Sequence, residues 1–326
     1  MSLALVLAST WAVAADPAEI RVGIIGLDTS HVAAFTSVFN RDNNSGDLAG
    51  VRVVAAYPGG SPDIPASADR VEGFTKQLKD QGIEIVDSIE DLLTKVDAVL
   101  LESVDGRPHL AQARPVIAAK KPLFIDKPLA GSLADAIAIF QLARANNVPC
   151  FSSSSLRFSP GIMGMRNNEQ LGRVLGCAAY GPCSLEPHHP DLFWYGIHGV
   201  ETLFTIMGKG CKSVTRVHSE GSDFVTGTWE DGRIGTFRGI REGKADYGAL
   251  VFGEKGILPS GGYGGYEPLV VEIARFFRTG EAPVDEAETL EMFAFMEAAD
   301  ESKRQDGAVV TLESVMQKAQ ASLTDQ

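Results

Sequence analysis

The sequence predicts an α/β domain with a parallel, doubly wound sheet, followed by an α+β domain with an open-faced, mainly antiparallel sheet. Short apolar runs alternate with helical patterns from Ile20 to Phe151, as in a parallel sheet covered on both faces. Beyond Gly172, alternating apolar and polar runs are separated by turns that contain glycine, which indicates an antiparallel meander. With 326 residues, of which 44% are hydrophobic, the chain can bury two cores. We expect domains at 16–150 and 151–326.

In the first domain, each element has a local reason in the sequence. Apolar runs predict strands, Pro108 suits the first turn of a helix, and Ser132 is placed to cap a helix that runs to Asn146. The predicted elements are strands at 20–26, 51–57, 96–102 and 148–151, and helices at 30–39, 66–81, 108–119 and 132–146.

In the second domain, the spacing of apolar residues changes from the period of a helix to the period of a strand. The predicted strands are 174–180, 211–220, 223–229, 233–238 and 247–252. Two amphipathic helices, at 266–279 and 285–303, are expected to close the chain.

The segment Pro122-Leu-Phe-Ile-Asp126-Lys127-Pro128 contains the most informative candidate residue. An apolar strand ends there, and ligands of doubly wound sheets bind at the carboxyl ends of the strands. Pro128 restricts the backbone of Lys127, so the lysine is expected at that edge in a fixed direction, where it can give or take a proton.

Several motifs resemble those of the glucose-fructose oxidoreductase, inositol dehydrogenase and MocA family, called Gfo/Idh/MocA. The matching segments are Val22-Gly-Ile-Ile-Gly26, Asp97-Ala-Val-Leu-Leu, His109-Leu-Ala-Gln-Ala, Lys121 to Ala130 and Arg157-Phe-Ser-Pro160. The resemblance implies a Rossmann domain that binds NAD or NADP, and a C-terminal sheet that helps bind substrate and forms oligomer contacts. It also implies that Lys127, in the family's Glu-Lys-Pro motif, faces both the nicotinamide and the substrate hydroxyl.

The dinucleotide loop departs from the family pattern GxGxxG. Only Gly26 remains, because Asp28 and His31 replace the second and third glycines, although Thr29 and Ser30 still supply hydroxyls where a helix begins. The cofactor-binding residues that the resemblance implies are Gly26, Leu27, Asp28, Thr29, Ser30, His31, Tyr57, Ser103, His109, Asp126 and Lys127.

The second strand is not followed at once by the acid that usually binds the ribose. Instead it continues into Pro58-Gly-Gly-Ser-Pro-Asp63, and Arg70 is the only nearby cation. The sequence therefore leaves NAD and NADP as open alternatives.

A segment rich in aromatic residues and histidine supplies the other candidates. The family commonly has an acid and, four residues later, a histidine that faces the nicotinamide; here the positions hold Trp194 and His198. The expected catalytic residues are Lys127, His198 and Tyr195, and the expected substrate-binding residues are Lys127, Arg157, His188, Trp194, Tyr195 and His198. The donors between His188 and Glu201 lack a tight ligand spacing, so no metal is expected.

The net charge of the chain limits its binding partners, and its N-terminal residues bear on its cellular location. A net charge of −13 without a basic patch excludes nucleic acid as a partner. Residues 1–15 form an apolar stretch that ends in small residues, which resembles a signal peptide and is too short to span a membrane. We expect a periplasmic or exported protein if this segment is a signal, and otherwise a cytoplasmic one. No membrane partner is expected, and the assembly is expected to be a homodimer or homotetramer through the C-terminal sheet.

Together, these observations predict an NAD(P)-dependent oxidoreductase that acts on a sugar, a sugar derivative or a cyclic polyol. One alternative is a redox-neutral lyase, hydratase or hydrolase that retains NAD tightly and works through a keto-sugar. Another is a sugar-binding or scaffold protein without a cofactor.

Overall fold

The computed structural model describes residues 19–324, and the signal-like segment lies outside them. A six-stranded parallel sheet occupies the first half of the chain, in the order β3-β2-β1-β4-β5-β6. Its strands are β1 Ile20–Ile25, β2 Val51–Tyr57, β3 Glu84–Ile85, β4 Ala98–Leu101, β5 Leu123–Asp126 and β6 Cys150–Ser153. This is the predicted Rossmann sheet, and its order reverses between β1 and β4.

Helices connect these strands and cover both faces of the sheet. They are α1 Ser30–Phe39, α2 Pro65–Asp80, α3 Ile89–Lys95, α4 His109–Ala118 and α5 Leu133–Ala145. The predicted bounds of α1 and the Ser132 cap of α5 are confirmed. Helix α3 was not predicted, although Ser88 caps it by accepting a hydrogen bond from Asp91 N at 3.1 Å.

A second, seven-stranded sheet has the order β12-β11-β7-β10-β9-β8-β13. Its strands are β7 Val174–Pro182, β8 Cys211–His218, β9 Ser222–Trp229, β10 Ile234–Ile240, β11 Gly248–Gly253, β12 Ile257–Pro259 and β13 Val310–Thr311. The expected meander is only partly correct, because β10 pairs with β7 in parallel. Since β7 is far from β10 in sequence, local spacing does not reveal that pairing.

The remaining helices join the second sheet to the first domain. They are α6 Pro160–Met163, a π-helical turn Leu192–Gly196, α7 Ile197–Met207, α8 Glu267–Thr279, α9 Glu286–Arg304 and α10 Leu312–Thr324. The chain thus closes with three helices rather than two. Helix α8 returns to the first domain, where Ile273 and Phe276 share a core with Phe35 and Phe151.

Two hydrophobic cores hold these layers together. One lies on the α1 and α8 face of the parallel sheet, and the other continues from the α4 and α5 face into the second domain. Within residues 19–324, no helix combines the length and apolar character that a membrane crossing requires.

Candidate functional site

A cleft of about 390 Å³ opens beside the carboxyl ends of β1 and β5, at the start of α1. Its volume falls within the ~300–1,000 Å³ that is usual for small-molecule sites. The first domain contributes Ser30, His31 and Lys127, and the second contributes aromatic rings and His198. The cleft therefore lies where ligands of doubly wound sheets bind.

Lys127 stands at the end of β5 and is buried except for 7% of its surface. Its Nζ atom lies 5.7 Å from the ring centroid of Tyr195, a distance at which a cation is attracted to an aromatic face. The ammonium group thus faces the cleft, held between the two domains.

His198 lies in the first turn of α7, lines the same cleft as Lys127, and is also 7% exposed. Its Nδ1 lies 2.8 Å from Ser154 Oγ, and the ring meets Tyr195 and Tyr247 edge to face. Burial, and then the charges of Lys127 and His31, hold the pKa of His198 well below 6.5. The imidazole is therefore neutral at pH 7 and can accept a proton.

A second histidine occupies the place of the third glycine of the fingerprint. Nδ1 of His31 lies 2.6 Å from Asp126 Oδ2, and the ring packs between Phe35 and Tyr266. Burial opposes ionisation of Asp126, but His31 and Lys127 outweigh it and hold the pKa of Asp126 below its usual value. The pair fixes His31 beside Lys127 at the cleft wall.

Glu102 ends the run from β4 and has no exposed surface, and neither of its carboxyl oxygens has a hydrogen-bond partner among the described residues. Burial, and then the charges of Asp126 and Asp28, raise the pKa of Glu102 well above its usual value. The surroundings of Glu102 therefore favour the protonated form of its carboxyl group.

Four tyrosines and a tryptophan form most of the aromatic lining: Trp194, Tyr195, Tyr247, Tyr263 and Tyr266. Sequence reasoning missed the last three. For Tyr263 and Tyr266 the signal was present in Ser260-Gly-Gly-Tyr263-Gly-Gly-Tyr266, where aromatic residues interrupt a glycine run. Gly261, the first glycine of the run, packs closely against Gly161, where a Cβ would lie 2.5 Å from Gly261 Cα. Close backbone packing therefore directs this loop into the cleft.

The dinucleotide loop itself is covered. Gly26, Leu27, Asp28 and Thr29 are buried, whereas Ser30, at the start of α1, is exposed. Asp28 does not face a phosphate position: its Oδ1 accepts from Val104 N at 2.9 Å and its Oδ2 from Ser67 Oγ at 2.6 Å. Burial raises the pKa of Asp28.

Residues 58–67, which we call the covering segment, lie across this loop. Leu27 N donates to Pro58 O at 2.7 Å, and a Cβ at Gly59 would lie 3.4 Å from Gly26 Cα. Asp63, the first acid after β2, forms a bidentate pair with Arg107 at 2.9 Å. The chain's own atoms fill the space over Gly26.

Other predicted site residues lie outside the cleft lining. Arg157 is buried and pairs with Glu201 and Glu288, while His188 pairs with Glu186 at the surface. The ring of His109 is bracketed by Ser103 O at 2.8 Å and Leu129 O at 3.2 Å. Ser103 Oγ donates to Gln112, and Tyr57 ends β2.

The donors weighed for a metal site do not converge in the structure. Asp191 binds Arg216 and Lys303, Glu201 binds Arg157, and His189 lies against Trp194. Within residues 19–324, no three histidine, cysteine, aspartate or glutamate side chains are grouped as metal ligands would be.

The site is open to the nicotinamide half of a dinucleotide but is covered where the adenosine half would bind. The nicotinamide half fits, because the open cleft offers aromatic walls, Lys127 and the exposed start of α1. Gly26 also fits: its φ is +91°, and a Cβ there would lie 2.4 Å from Ser103 N. The covering segment lies across the part of the crevice that the adenosine half would occupy.

Comparisons with known proteins agree with this architecture. Residues 20–154 match the family model GFO_IDH_MocA, described as "Oxidoreductase family, NAD-binding Rossmann fold". Among curated proteins, none matches the chain.

Three solved structures are similar in fold. An apo scyllo-inositol dehydrogenase from Lactobacillus casei is 15% identical with a TM-score of 0.73, covering 90% of this chain and 98% of its own. A myo-inositol dehydrogenase from Corynebacterium glutamicum is 14% identical with a TM-score of 0.71, covering 90% and 99%. An oxidoreductase from Agrobacterium radiobacter, in complex with NAD+, L-tartaric acid and magnesium, is 16% identical with a TM-score of 0.71, covering 91% and 99%.

Proposed function

Because residues 20–154 of this chain belong to the Gfo/Idh/MocA family of oxidoreductases with an NAD-binding Rossmann fold, we propose that the protein is a nicotinamide-dependent oxidoreductase acting on a sugar, a sugar derivative or a cyclic polyol. The observation that carries the proposal is the shared cleft of Lys127 and His198. One residue is a buried lysine at the end of a strand, and the other is a buried imidazole whose lowered pKa keeps it neutral at pH 7; both line the cleft.

These residues divide the proton chemistry of alcohol oxidation between them. Neutral His198 accepts the hydroxyl proton, with its ring oriented by Ser154. The ammonium of Lys127 stabilises the negative charge that develops on the substrate oxygen. The nicotinamide, when bound, supplies the hydride acceptor. Tyr195 and Trp194 offer flat faces to the C–H groups of a sugar or polyol ring.

The activity is tested by incubating the full-length protein with NAD+ or NADP+ and a panel of inositols, sugars and sugar acids. We expect absorbance at the reduced-nicotinamide wavelength to rise with at least one cyclic polyol or sugar. Absence of reduction with either cofactor across the panel would count against the proposal.

The pH dependence of turnover should follow the protonation of His198. Its lowered pKa means that kcat/KM declines on the acid side only below about pH 6.5, the ordinary pKa of histidine. His198→Asn keeps an atom near Ser154 but removes Nε2, so we expect kcat to fall about 10²–10⁴-fold and the acid limb to disappear. Steady-state kinetics across pH provide the measurement.

His218→Asn is the matched control for that variant. His218 lies on β8, with Nδ1 2.8 Å from Asp223 Oδ1, and is not among the residues that line the cleft. We expect it to retain the wild-type profile. An acid limb that persists in His198→Asn would show that another group carries it.

The covered loop favours one second candidate, a redox-neutral enzyme that retains its nicotinamide from cycle to cycle. A covered loop slows the loading of free cofactor, which suits an enzyme whose nicotinamide stays bound from cycle to cycle. Denaturing the purified protein and assaying the supernatant for NAD(H) and NADP(H) tests this: one equivalent released supports retention, and none supports an exchangeable cofactor.

We also propose that the protein forms a homodimer or homotetramer through the outer face of the second sheet. Large apolar side chains are exposed there on four adjacent strands: Tyr180, Phe224, Ile234, Leu250 and Phe252. Arg238 lies between Tyr180 and Phe224 in register, so the face is continuous across β7, β10 and β9. A single continuous sheet face suits a self-complementary contact with a second copy of the chain.

Substituting lysine on this face should separate the subunits. We expect Phe224→Lys combined with Leu250→Lys to give the monomer mass in light scattering, because the charges would be buried without partners. Lys212→Glu, an exposed change on β8, should leave the mass as in wild type. A wild-type protein that is already monomeric would refute this assembly.

Export is proposed on the sequence of residues 1–15. Mass spectrometry of protein from a secreting host should then find an N-terminus near Asp16, whereas a chain that begins at its first residue would contradict export.

A further inference from the structure

We propose that the covering segment, residues 58–67, is a latch across the adenosine half of the cofactor crevice, and that the dinucleotide enters only after the latch swings out. This inference rests on the proposed cofactor binding, but it concerns access rather than chemistry. The glycine loop of a dinucleotide fold must expose its backbone to the pyrophosphate. In this chain Gly26 to Thr29 are buried beneath the chain's own atoms.

One set of hydrogen bonds that holds the latch closed, which we call the inner fastening, centres on Asp28. Its carboxylate accepts from Ser67 Oγ at 2.6 Å, and Ser67 Oγ in turn accepts from Ser61 N at 2.8 Å. All three residues are buried. The residue that replaces the family's second glycine therefore holds the covering segment down.

A second set of hydrogen bonds and ion pairs, which we call the outer fastening, centres on Asp105 in the loop after β4. Asp105 Oδ2 accepts from Ser61 Oγ at 2.6 Å, and Arg107 bridges Asp105 to Asp63. Burial opposes ionisation of Asp105, but hydrogen bonds from His189, Arg107 and Ser61 hold its pKa far below the usual value. A charged network thus joins the segment to the opposite wall of the crevice.

The equilibrium between the closed and open states of the latch then sets the apparent affinity for the cofactor. If the dinucleotide binds only the open state, its apparent dissociation constant is the intrinsic one divided by the open fraction. Weakening a fastening raises that fraction, so removing a buried contact should tighten binding. A purely structural role predicts the opposite, since losing a buried hydrogen bond would then only loosen the site.

The test follows NADH fluorescence on mixing with the full-length protein. In wild type the observed rate should level off with NADH concentration, because opening precedes binding. Ser67→Ala should raise that plateau, and lower the dissociation constant, about tenfold, as expected for loss of one buried hydrogen bond. Asp63→Ala breaks the exposed pair with Arg107 and should change both about two- to threefold. If the protein is isolated with nucleotide bound, release into excess unlabelled NAD+ should proceed at the wild-type rate in both variants, because the latch is already open in the bound state.

Ser132→Ala is the matched control, since Ser132 also donates to an aspartate, Asp135 at 3.0 Å, but lies at the start of α5. It should leave NADH kinetics unchanged, and thermal melting should confirm that each variant is folded. The latch is overturned if wild-type rates rise linearly with NADH, if Ser67→Ala binds no faster, or if no variant binds NADH. Latched binding without turnover on any polyol would refute the proposed function and leave the latch standing.

Discussion

Lys127→Met is expected to lower kcat by about 10³-fold, since the change removes the cation that stabilises developing negative charge in a site shielded from water. Lys127 as a whole is only 7% exposed, and its Nζ lies over the ring of Tyr195. Methionine keeps most of the volume of the lysine stem, so the cleft should keep its shape. Affinity for NADH should remain close to that of wild type.

The same variant should also alter His198. The charge of Lys127 is one cause of the lowered pKa of His198, after burial. Its removal should therefore move the acid limb of any residual activity to higher pH. Lys212→Met, an exposed change on β8, is the control and should retain wild-type turnover. Turnover within a few-fold of wild type in Lys127→Met would reject its catalytic role.

Glu201→Leu is expected to destabilise the fold by about 3–5 kcal/mol, because it leaves the guanidinium of Arg157 buried without its first partner. The side chains of Arg157 and Glu201 are 10% and 1% exposed. Burial opposes the charge on Arg157, but Glu201 and Glu288 outweigh it and raise the pKa of Arg157, so the charge persists in the folded state. Urea unfolding measures the change in free energy.

A double variant separates this cause from general damage to the core. Arg157→Met with Glu201→Leu removes both charges and leaves Glu288 paired with Arg166 at 3.4 Å. We expect it to recover much of the lost free energy of unfolding. Asp97→Asn is the control: its pair with Arg21 is 42–48% exposed and should contribute less than about 1 kcal/mol. A double variant as unstable as Glu201→Leu would show that the charge is not the cause.

Glu201 also connects stability to the site. Its carboxylate accepts from Ser153 Oγ at 3.2 Å and Ser154 N at 3.4 Å, and Ser154 orients His198. Arg157 was predicted to bind substrate, but its partners make it part of this support. Its neighbour in sequence, Phe158, gave no indication of that, because Glu201 and Glu288 lie 44 and 131 residues away.

Local patterns were sufficient for most of the first domain. Helix α1 and strand β2 have the predicted bounds, because a cap or an apolar run of adjacent residues defines them. Helix α3 could have been found from its cap at Ser88, whereas the parallel pairing of β7 with β10 could not. The first depends on neighbours along the chain and the second on which strands meet in space.

The candidate site divides in the same way. Adjacent residues were enough to predict the Rossmann order of elements and the position of Lys127 at the end of a strand, since strand period and Pro128 act over a few residues. The folded chain was needed to show that Asp28 turns to Ser67 and Val104, 39 and 76 residues away, and that tyrosines from a distant glycine-rich loop line the cleft. Burial and hydrogen-bond partners arise from folding, so a side chain's charge and direction cannot be read from its neighbours in sequence.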